Sequence, residues 1–547
     1  MERIMKLFNR EFSQISEAAL VLGFFTFMSQ ILGIFRDRLL AGNIGAGSTL
    51  DIYYAAFRVP DLIFTFGAAF VSVSILMPFL KTQMQKSYRD GKKFIYEIFT
   101  TFFLAIFIIA VMCWIWMPTL AQHLFPGFNN NELAQTIMLS RVMLLSPILL
   151  GISNLFATIT QAFKQFFVYA IAPVFYNLGI IIGIVWLYPV FGTVGLGYGV
   201  ILGALLHMFI QVPVVVRHGL FPRFVRHINW RHIRTVVLHS LPRTITLSMS
   251  KIVFLIFVSI ASTLVSGTIS VFNLSYNLQS VPLAIIGVSY SVAAFPTLVD
   301  YFNKKNFEEF VAHVIGPMRQ IIFWSLPVIA LFVVLRAQIV RVILGTGNFD
   351  WADTRLTAAS LALFIVSVVA QSIILLLIRA YYASGKTWKP LWITLVSSVL
   401  TIIFAYVFIT LYNAFPALQF FFESLLRIQN VAGSSVIMLS LAYSIGMFLN
   451  LILLLVSFKK DFKYVTAFGL ARTIRHSCIV SLLMGVVAYS MLQFISPYID
   501  QSSTISVLFH GFTSGLVALV VGFFFLWFVR NEEMRVFVRA VRKKLHA

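Results

Sequence analysis

From Ile98 to Leu120 the chain reads IFTTFFLAIFIIAVMCWIWMPTL, with no acidic or basic residue. A helix needs about 20 such residues to cross the hydrocarbon core of a bilayer. Runs of this kind recur along all 547 residues, which excludes the string of soluble domains that length alone would allow. The composition agrees, with 60% hydrophobic and 11% charged residues where a soluble protein has about 25% charged. Mean hydropathy is +0.92.

Windows of about 19 residues, broken at turn signals, give about fourteen spans. They lie near 15–41, 51–80, 94–119, 132–162, 166–189, 193–216, 236–264, 269–300, 314–335, 353–383, 388–412, 431–458, 473–496 and 504–530. The expected fold is an all-α polytopic membrane protein with two six-helix lobes and a C-terminal helix pair. The expected divisions are an N-lobe at 1–219, a basic cytoplasmic linker at 220–235, a C-lobe at 236–460, and the last two helices with a basic tail at 461–547. Met1 to Ser13 is polar and basic and runs into apolar sequence without a small-residue cleavage site, so the first span is expected to be retained.

Lysine and arginine fall on alternate connections. They cluster at Arg3, Lys6 and Arg10, at Lys81 to Lys93, at Arg217 to Arg234, at Lys304 and Lys305, at Lys386 and Lys389, at Lys459 to Arg475, and in the tail from Arg530. The intervening connections are nearly bare, as in MPTLAQHLFPGFNNNELAQ. Cytoplasmic loops carry the excess of basic residues, so both termini are expected in the cytoplasm. The net charge of +22 then reads as topology plus contact with anionic lipids, and no nucleic-acid partner is expected. Cys113 and Cys478 lie in apolar runs and read as small buried hydrophobes rather than a disulfide.

Weak internal echoes link the two lobes. GSTLDIYYAAFRVP and GTISVFNLSYNLQSVP each run from a glycine to a proline, Pro60 and Pro282, and a further proline follows at Pro78 and Pro296. Duplicated lobes with proline-bent helices are a transporter architecture, because freed carbonyls are tolerated where a helix lines a cavity. Pro60 and Pro282 are therefore the expected bends.

The polar residues within the spans locate the candidate site. ILGIFRDRLLAGNIGAGSTLDIYYAAFRVPDL holds Arg36, Asp37, Arg38, Asp51 and Arg58. A charge at mid-bilayer costs at least about 2.5–3.5 kcal/mol, so such residues face a wet interior or one another. Helix rise puts Arg36 and Arg58 at similar depth on neighbouring spans. Arginine suits a phosphate because its planar fork makes paired bonds and it does not deprotonate. Asp37 and Asp51 are the expected counter-charges. The plain alternative is an ion-pair cluster that only ties two helices together. In the seventh span, Thr244, Ser248 and Lys251 share one helix face, with Arg243 beside them. In the eighth, Asn273, Asn277 and Ser280 do the same. These stripes read either as the wall of a hydrated cavity or as interhelical hydrogen bonding. Arg141 is a further candidate, with helix pairing as its alternative.

Other signals carry less. GNIGAG lacks the strand of a nucleotide loop, and His218, His227, His232 and His239 match no zinc spacing. Asp350 and Asp353 lack a calcium-loop pattern, so no metal and no cofactor are expected. The outer connections hold too few acids, bases or nucleophiles for a membrane transferase, and no catalytic residue is assigned. A transporter of an anionic, amphipathic substrate fits best. The alternatives are an exporter of another amphipathic substrate and a non-transporting scaffold.

The opening block resembles the MurJ/MviN family of lipid II flippases, with its pattern G-x-x-R-D…F-G-A-G…D-x-[FY]-x-x-A-[FY]-[KR]-[ILV]-P-N-L. The likeness continues in APVFYNLGIIIGI, SVPLAIIGVSYSVAAFPTL and LGTGNFDWADTRLTAASLALF. The resemblance implies fourteen helices, a cationic central cavity, and translocation of lipid II for peptidoglycan synthesis. It implies a lipid-linked anionic glycan as substrate and allows partners among cell-wall synthesis proteins. Arg36, Asp37, Asp51 and Arg58 match the family pattern. Gln30 and Asn277 stand where arginines are usual, and Phe64 falls in the stretch that usually carries a basic pair. Lys251 and Arg243 are expected to compensate in part.

Overall fold

The computed structural model describes residues 15–70, 73–462, 470–499, 503–529 and 531–535. All of them are helix or connecting turn, with no strand among the described residues. The basic residues Arg3, Lys6 and Arg10, and the tail from residue 536, lie outside the described residues. Eleven described helices are long and apolar enough to cross a membrane, and one bent pair, Trp351–Val366 with Val368–Ala383, makes twelve. That count leaves out two helical stretches. Ile15–Ile44 carries Arg36, Asp37 and Arg38, and the stretch at 58–86 is divided at residues 71 and 72, outside the described residues.

The chain divides into two compact units, Met1–Ser270 and Val271–Ala547. The first contains α1 (Ile15–Ile44), α2 (Ser48–Ala56), α3 (Arg58–Phe70), α4 (Val73–Lys86), α5 (Tyr88–Leu124) and α6 (Asn130–Met143). It continues with α7 (Leu145–Ala162), α8 (Phe166–Ile182), α9 (Tyr188–Phe191), α10 (Thr193–Phe209), α11 (Val212–Arg217) and α12 (Trp230–Ser262). The seventh expected span, α12, thus falls within the first unit.

Within this unit α8 packs against α1 on one side and α10 on the other. Glycines set the second contact. A Cβ on Gly179 would sit 2.3 Å from the Cα of Gly203, so nothing larger fits between the two backbones. In a bilayer, where lipid tails are as apolar as leucine, such close van der Waals packing is what holds helices together. Pro60 sits in the first turn of α3 and has no N–H to offer the carbonyl of Ala56. The Ser140 hydroxyl of α6 donates to that carbonyl instead, at 3.2 Å. The break between α2 and α3, at Phe57, is therefore kept satisfied by a neighbouring helix.

The second unit begins within α13 (Thr268–Pro282) and contains α14 (Ser289–Asn303), α15 (Phe307–Val334), α16 (Arg336–Ile343), α17 (Trp351–Val366) and α18 (Val368–Ala383). It closes with α19 (Trp388–Ala414), α20 (Pro416–Leu426), α21 (Ile437–Phe462), α22 (Leu470–Ile495) and α23 (Thr504–Phe528). After Pro282 the helix widens into a π segment, Leu283–Val288, before α14 resumes. A proline followed by a π turn is a recognised cause of a helix irregularity. Asp350 and Asp353 cap the start of α17, each accepting from the other's backbone N–H. Cys113 is half-buried, whereas Cys478 is exposed on α22 rather than buried. Outward faces of a membrane span meet lipid, so an apolar run does not by itself imply burial in protein.

The last described residues dock on this unit by charge. Glu533 accepts from the Thr473 hydroxyl at 2.5 Å and from Arg319 Nε and Nη2 at 2.9 and 2.7 Å. Glu532 accepts from Arg319 at 2.8 Å and from Arg472 at 3.2 Å. Burial pushes the Glu533 carboxyl up, but the Thr473 hydroxyl and Arg319 outweigh it and hold the group below the usual range. The Arg319 hydrogen bond and charge do the same for Glu532. A depressed folded-state pKa gives stability that is complete above the unfolded value of about 4.3 and is lost as pH falls through the lower folded value. The melting temperature of the purified protein is therefore expected to fall below about pH 4, and Glu533→Gln should remove part of that fall. An identical acid limb in wild type and Glu533→Gln would contradict this assignment.

Candidate functional site

The polar residues of the first unit gather where α1, α2, α3, α8 and α12 approach. Arg36 on α1 donates from Nε and Nη2 to Asp37 Oδ1 at 3.0 and 2.7 Å, and from Nη1 to Asn177 Oδ1 at 3.2 Å. The Asn177 amide in turn donates to the Ser29 hydroxyl at 3.1 Å and the Pro173 carbonyl at 3.2 Å. Asp37 is thus the expected counter-charge of Arg36. Asn177 is a partner that sequence reasoning missed, although it lies inside the quoted APVFYNLG stretch. The available signal was a lone amide inside an apolar span, which needs a polar partner when buried.

Arg58 opens α3. Its Nε donates back to the Tyr54 carbonyl at 3.1 Å, and its guanidinium carbon lies 5.7 Å from the ring centre of Phe254 on α12. Tyr54 lies within electrostatic range of Arg36, Asp37 and Arg58. Its side chain is 7% exposed, and its hydroxyl has no hydrogen-bond partner. A buried, unpaired hydroxyl costs about 1–3 kcal/mol, so its persistence beside two arginines calls for a ligand-side explanation.

Asp51 departs from expectation. It is no counter-charge to either arginine. Its carboxylate accepts from the Gly267 N–H at 2.6 Å, the Ser270 N–H at 2.7 Å and the Ser270 hydroxyl at 2.6 Å. The first N–H groups of a helix have no intrahelical partner and carry partial positive charge, so the start of α13 competes successfully for this carboxylate. Gly267 is needed there, with φ +93 and a would-be Cβ only 2.3 Å from the Ala46 carbonyl.

Lys251 also has a partner that the sequence did not reveal. Its ammonium donates to Asp61 Oδ2 at 2.8 Å, joining α12 to α3. Asp61 occupies the position where the family pattern has asparagine, so an extra acid and an extra cation come together as a pair. The pair is not sealed off, with side-chain exposures of 42% for Lys251 and 22% for Asp61. Thr244 and Ser248, on the same helix face, are fully buried in protein, and Thr244 donates to the Ser240 carbonyl at 2.9 Å. The Arg243 side chain lies outside the described residues. Asn277 belongs to the second unit, on α13, where its carbonyl accepts from the Ser280 hydroxyl at 2.6 Å. Arg141 takes the helix-pairing alternative, donating to the Trp114 carbonyl at 3.0 Å and stacking 4.5 Å from that indole.

The arrangement places two fixed guanidinium groups, a half-exposed ammonium and an unpartnered phenol in one small unit. Such donors suit a multivalent oxyanion better than a neutral or cationic ligand.

Comparison with known proteins gives the same direction. A family model described as lipid II flippase MurJ matches residues 40–509. A probable lipid II flippase MurJ of Rhizobium tropici is 25% identical over 501 residues, covering 89% of each chain. That of Rickettsia prowazekii (strain Madrid E) is 24% identical over 386 residues, covering 70% of this chain and 76% of its own. Among solved structures, a lipid II flippase MurJ in an inward closed conformation is similar in fold, with a TM-score of 0.74 at 22% identity, covering 94% of this chain and all of that one. An inward-facing multidrug resistance MATE transporter of the MOP superfamily is similar with a TM-score of 0.63 at 15% identity, covering 80% of this chain and 96% of its own. With the match spanning most of its length, this multi-pass membrane protein belongs to the lipid II flippase MurJ family.

Proposed function

We propose that this chain carries lipid II from the inner to the outer leaflet of a bacterial inner membrane by alternating access, with both termini cytoplasmic and no catalytic step. The observation that supports the reading is that Arg36 and Arg58 both lie within electrostatic range of the buried Tyr54, each hydrogen-bonded by neighbours in the first unit. Arg36 and Arg58 grip the pyrophosphate, Asp37 and Asn177 hold Arg36, and Asp51 keeps α2 fixed to the start of α13. Lys251 has two ammonium protons beyond the one shared with Asp61 and offers them to the same anion. Pro60 and Pro282 mark where α3 and α13 bend as the lobes exchange access.

A second reading, a flippase for another polyprenyl-linked oligosaccharide, draws on one observation: Lys251 is already neutralised by Asp61, which lowers the free positive charge available. Expression in a strain depleted of its own lipid II flippase separates the two. Restored growth supports lipid II as substrate. Absent growth, with protein present in the membrane, rejects it and leaves the second reading.

The Tyr54 hydroxyl gives a sharper test. Tyr54→Phe removes an unpartnered buried hydroxyl, so the melting temperature is expected to hold or rise. Loss of one hydrogen bond to a charged ligand should slow translocation roughly tenfold. Unchanged translocation would remove Tyr54 from the site.

A further inference from the structure

The second unit carries a group of arginines that the proposed transport site does not use. They lie in the connections α15–α16–α17 and α20–α21. Lys304 and Lys305 precede α15, and Lys386 and Lys389 follow α18, so these connections belong to the opposite, outer end of the helices.

Arg427 follows α20 with φ 60 and ψ 45, a left-handed conformation that costs a non-glycine residue energy. Arg355 holds it there. Its Nε and Nη2 donate to the Arg427 carbonyl at 2.9 and 2.7 Å, and Nη2 reaches the Gln429 carbonyl at 3.3 Å. One arginine is thus committed to fixing the backbone that aims another. The Arg427 guanidinium reaches the Tyr489 hydroxyl at 3.4 Å. Tyr489 lies six residues, about 9 Å of helix rise, from the end of α22, which is headgroup depth. Arg336 opens α16, with Nη1 on the Val333 carbonyl at 2.8 Å. Burial, and then the nearby charge of Arg427, lower its hold on its proton.

Like charges brought together at a half-buried place ordinarily attract a carboxylate. Here the nearby acid Glu423 binds neutral donors instead. Glu423 Oε1 accepts from Ser434 at 2.8 Å, Gln419 at 3.0 Å and Tyr412 at 3.2 Å. Asp350 and Asp353 cap α17. Among the described residues, Arg336, Arg355 and Arg427 have no ion-pair partner. The same end of the unit exposes Phe494 and Tyr498 on and beyond α22, and Phe509 and Phe512 on α23, a surface suited to acyl or prenyl chains.

We infer that Arg336 and Arg427, with the Tyr489 hydroxyl, form a second anion site that holds the phosphate of a membrane lipid at the outer end of the second unit. The arginines supply paired charge-assisted donors, and the exposed aromatic side chains of α22 and α23 accommodate the lipid chain. Such a site lets the protein hold a phosphate lipid at the outer surface independently of the first unit's arginines. The inference rests on the orientation of the spans and not on the identity of the transported substrate.

Lipid retention by the purified full-length protein, read by native mass spectrometry, tests it. The probes are undecaprenyl phosphate, phosphatidylglycerol and, as a neutral control, diacylglycerol. All proteins carry Arg58→Gln, so that the first proposed phosphate site does not mask the second. The parent is expected to retain one phosphate lipid at least tenfold more tightly than diacylglycerol. Arg336→Gln/Arg427→Gln should lose that margin, whereas Arg223→Gln, on the basic linker, should keep it. Arg336→Gln alone leaves the left-handed turn intact and should lose at least part of the margin, which guards against misfolding as the cause. Preference for undecaprenyl phosphate identifies a carrier lipid as occupant, and preference for phosphatidylglycerol identifies bulk lipid. Equal retention by parent and double variant, or an equal loss in Arg223→Gln, overturns the inference.

Discussion

Arg58→Gln is expected to reduce lipid II translocation about 100-fold while leaving the protein folded, because two charge-assisted bonds to a phosphate are lost and each is worth about 1.5–3 kcal/mol. The arginine opens α3, packs over Phe254 and donates from its Nε to the Tyr54 carbonyl. Glutamine keeps part of that packing and an N–H. Arg58→Lys separates charge from geometry. A lysine at this place restores a point charge but cannot present a planar fork, so translocation should recover only in part. Full recovery with lysine would show that charge alone matters. Full activity with glutamine would remove Arg58 from the site. Arg36 is a less clean probe, since its loss also removes the guanidinium that pairs with Asp37.

The second large effect concerns Lys251 and Asp61. Lys251→Met leaves the Asp61 carboxylate half-buried without its cation. A fully buried pair broken in this way costs about 3–5 kcal/mol and an exposed one under about 1 kcal/mol, so an intermediate loss of about 1–3 kcal/mol is expected here. The melting temperature and the amount of protein in the membrane should both fall. Asp61→Asn/Lys251→Met removes both charges and should restore stability to nearly the wild-type value. Translocation should stay about tenfold reduced, because the ammonium that meets the anion is still absent. If the double variant recovers transport along with stability, Lys251 is only a tie between α12 and α3. If it recovers neither, the pair is not the stabilising contact described here.

These contacts show what one sequence can and cannot disclose. The fold class was legible because apolar runs such as Ile98 to Leu120 admit few structures. The candidate cluster was legible because charges in a bilayer are expensive, which singled out Arg36, Asp37 and Arg58. Their partners were not. Arg36 meets Asn177 across 141 residues, Lys251 meets Asp61 across 190, and Asp51 meets Ser270 across 219. No local periodicity encodes such separations. Asp51 misled for a specific reason: an acid near two arginines reads as their counter-charge, but the unpaired N–H groups that begin α13 lie closer. The glycines of α8 and α10 were visible as letters, but their mutual contact at Gly179 and Gly203 depends on how two helices cross.

The central claim is that this chain moves lipid II and that its paired arginines carry the headgroup. Purified protein reconstituted into liposomes with fluorescent lipid II in the inner leaflet tests it most directly, with outer-leaflet arrival followed by a membrane-impermeant quencher. The account predicts arrival that depends on the protein, is lost in Arg58→Gln, and is not seen for a phosphatidylcholine of similar label. Arrival that is equal in wild type and Arg58→Gln, or absent from both with folded protein in the bilayer, would contradict it.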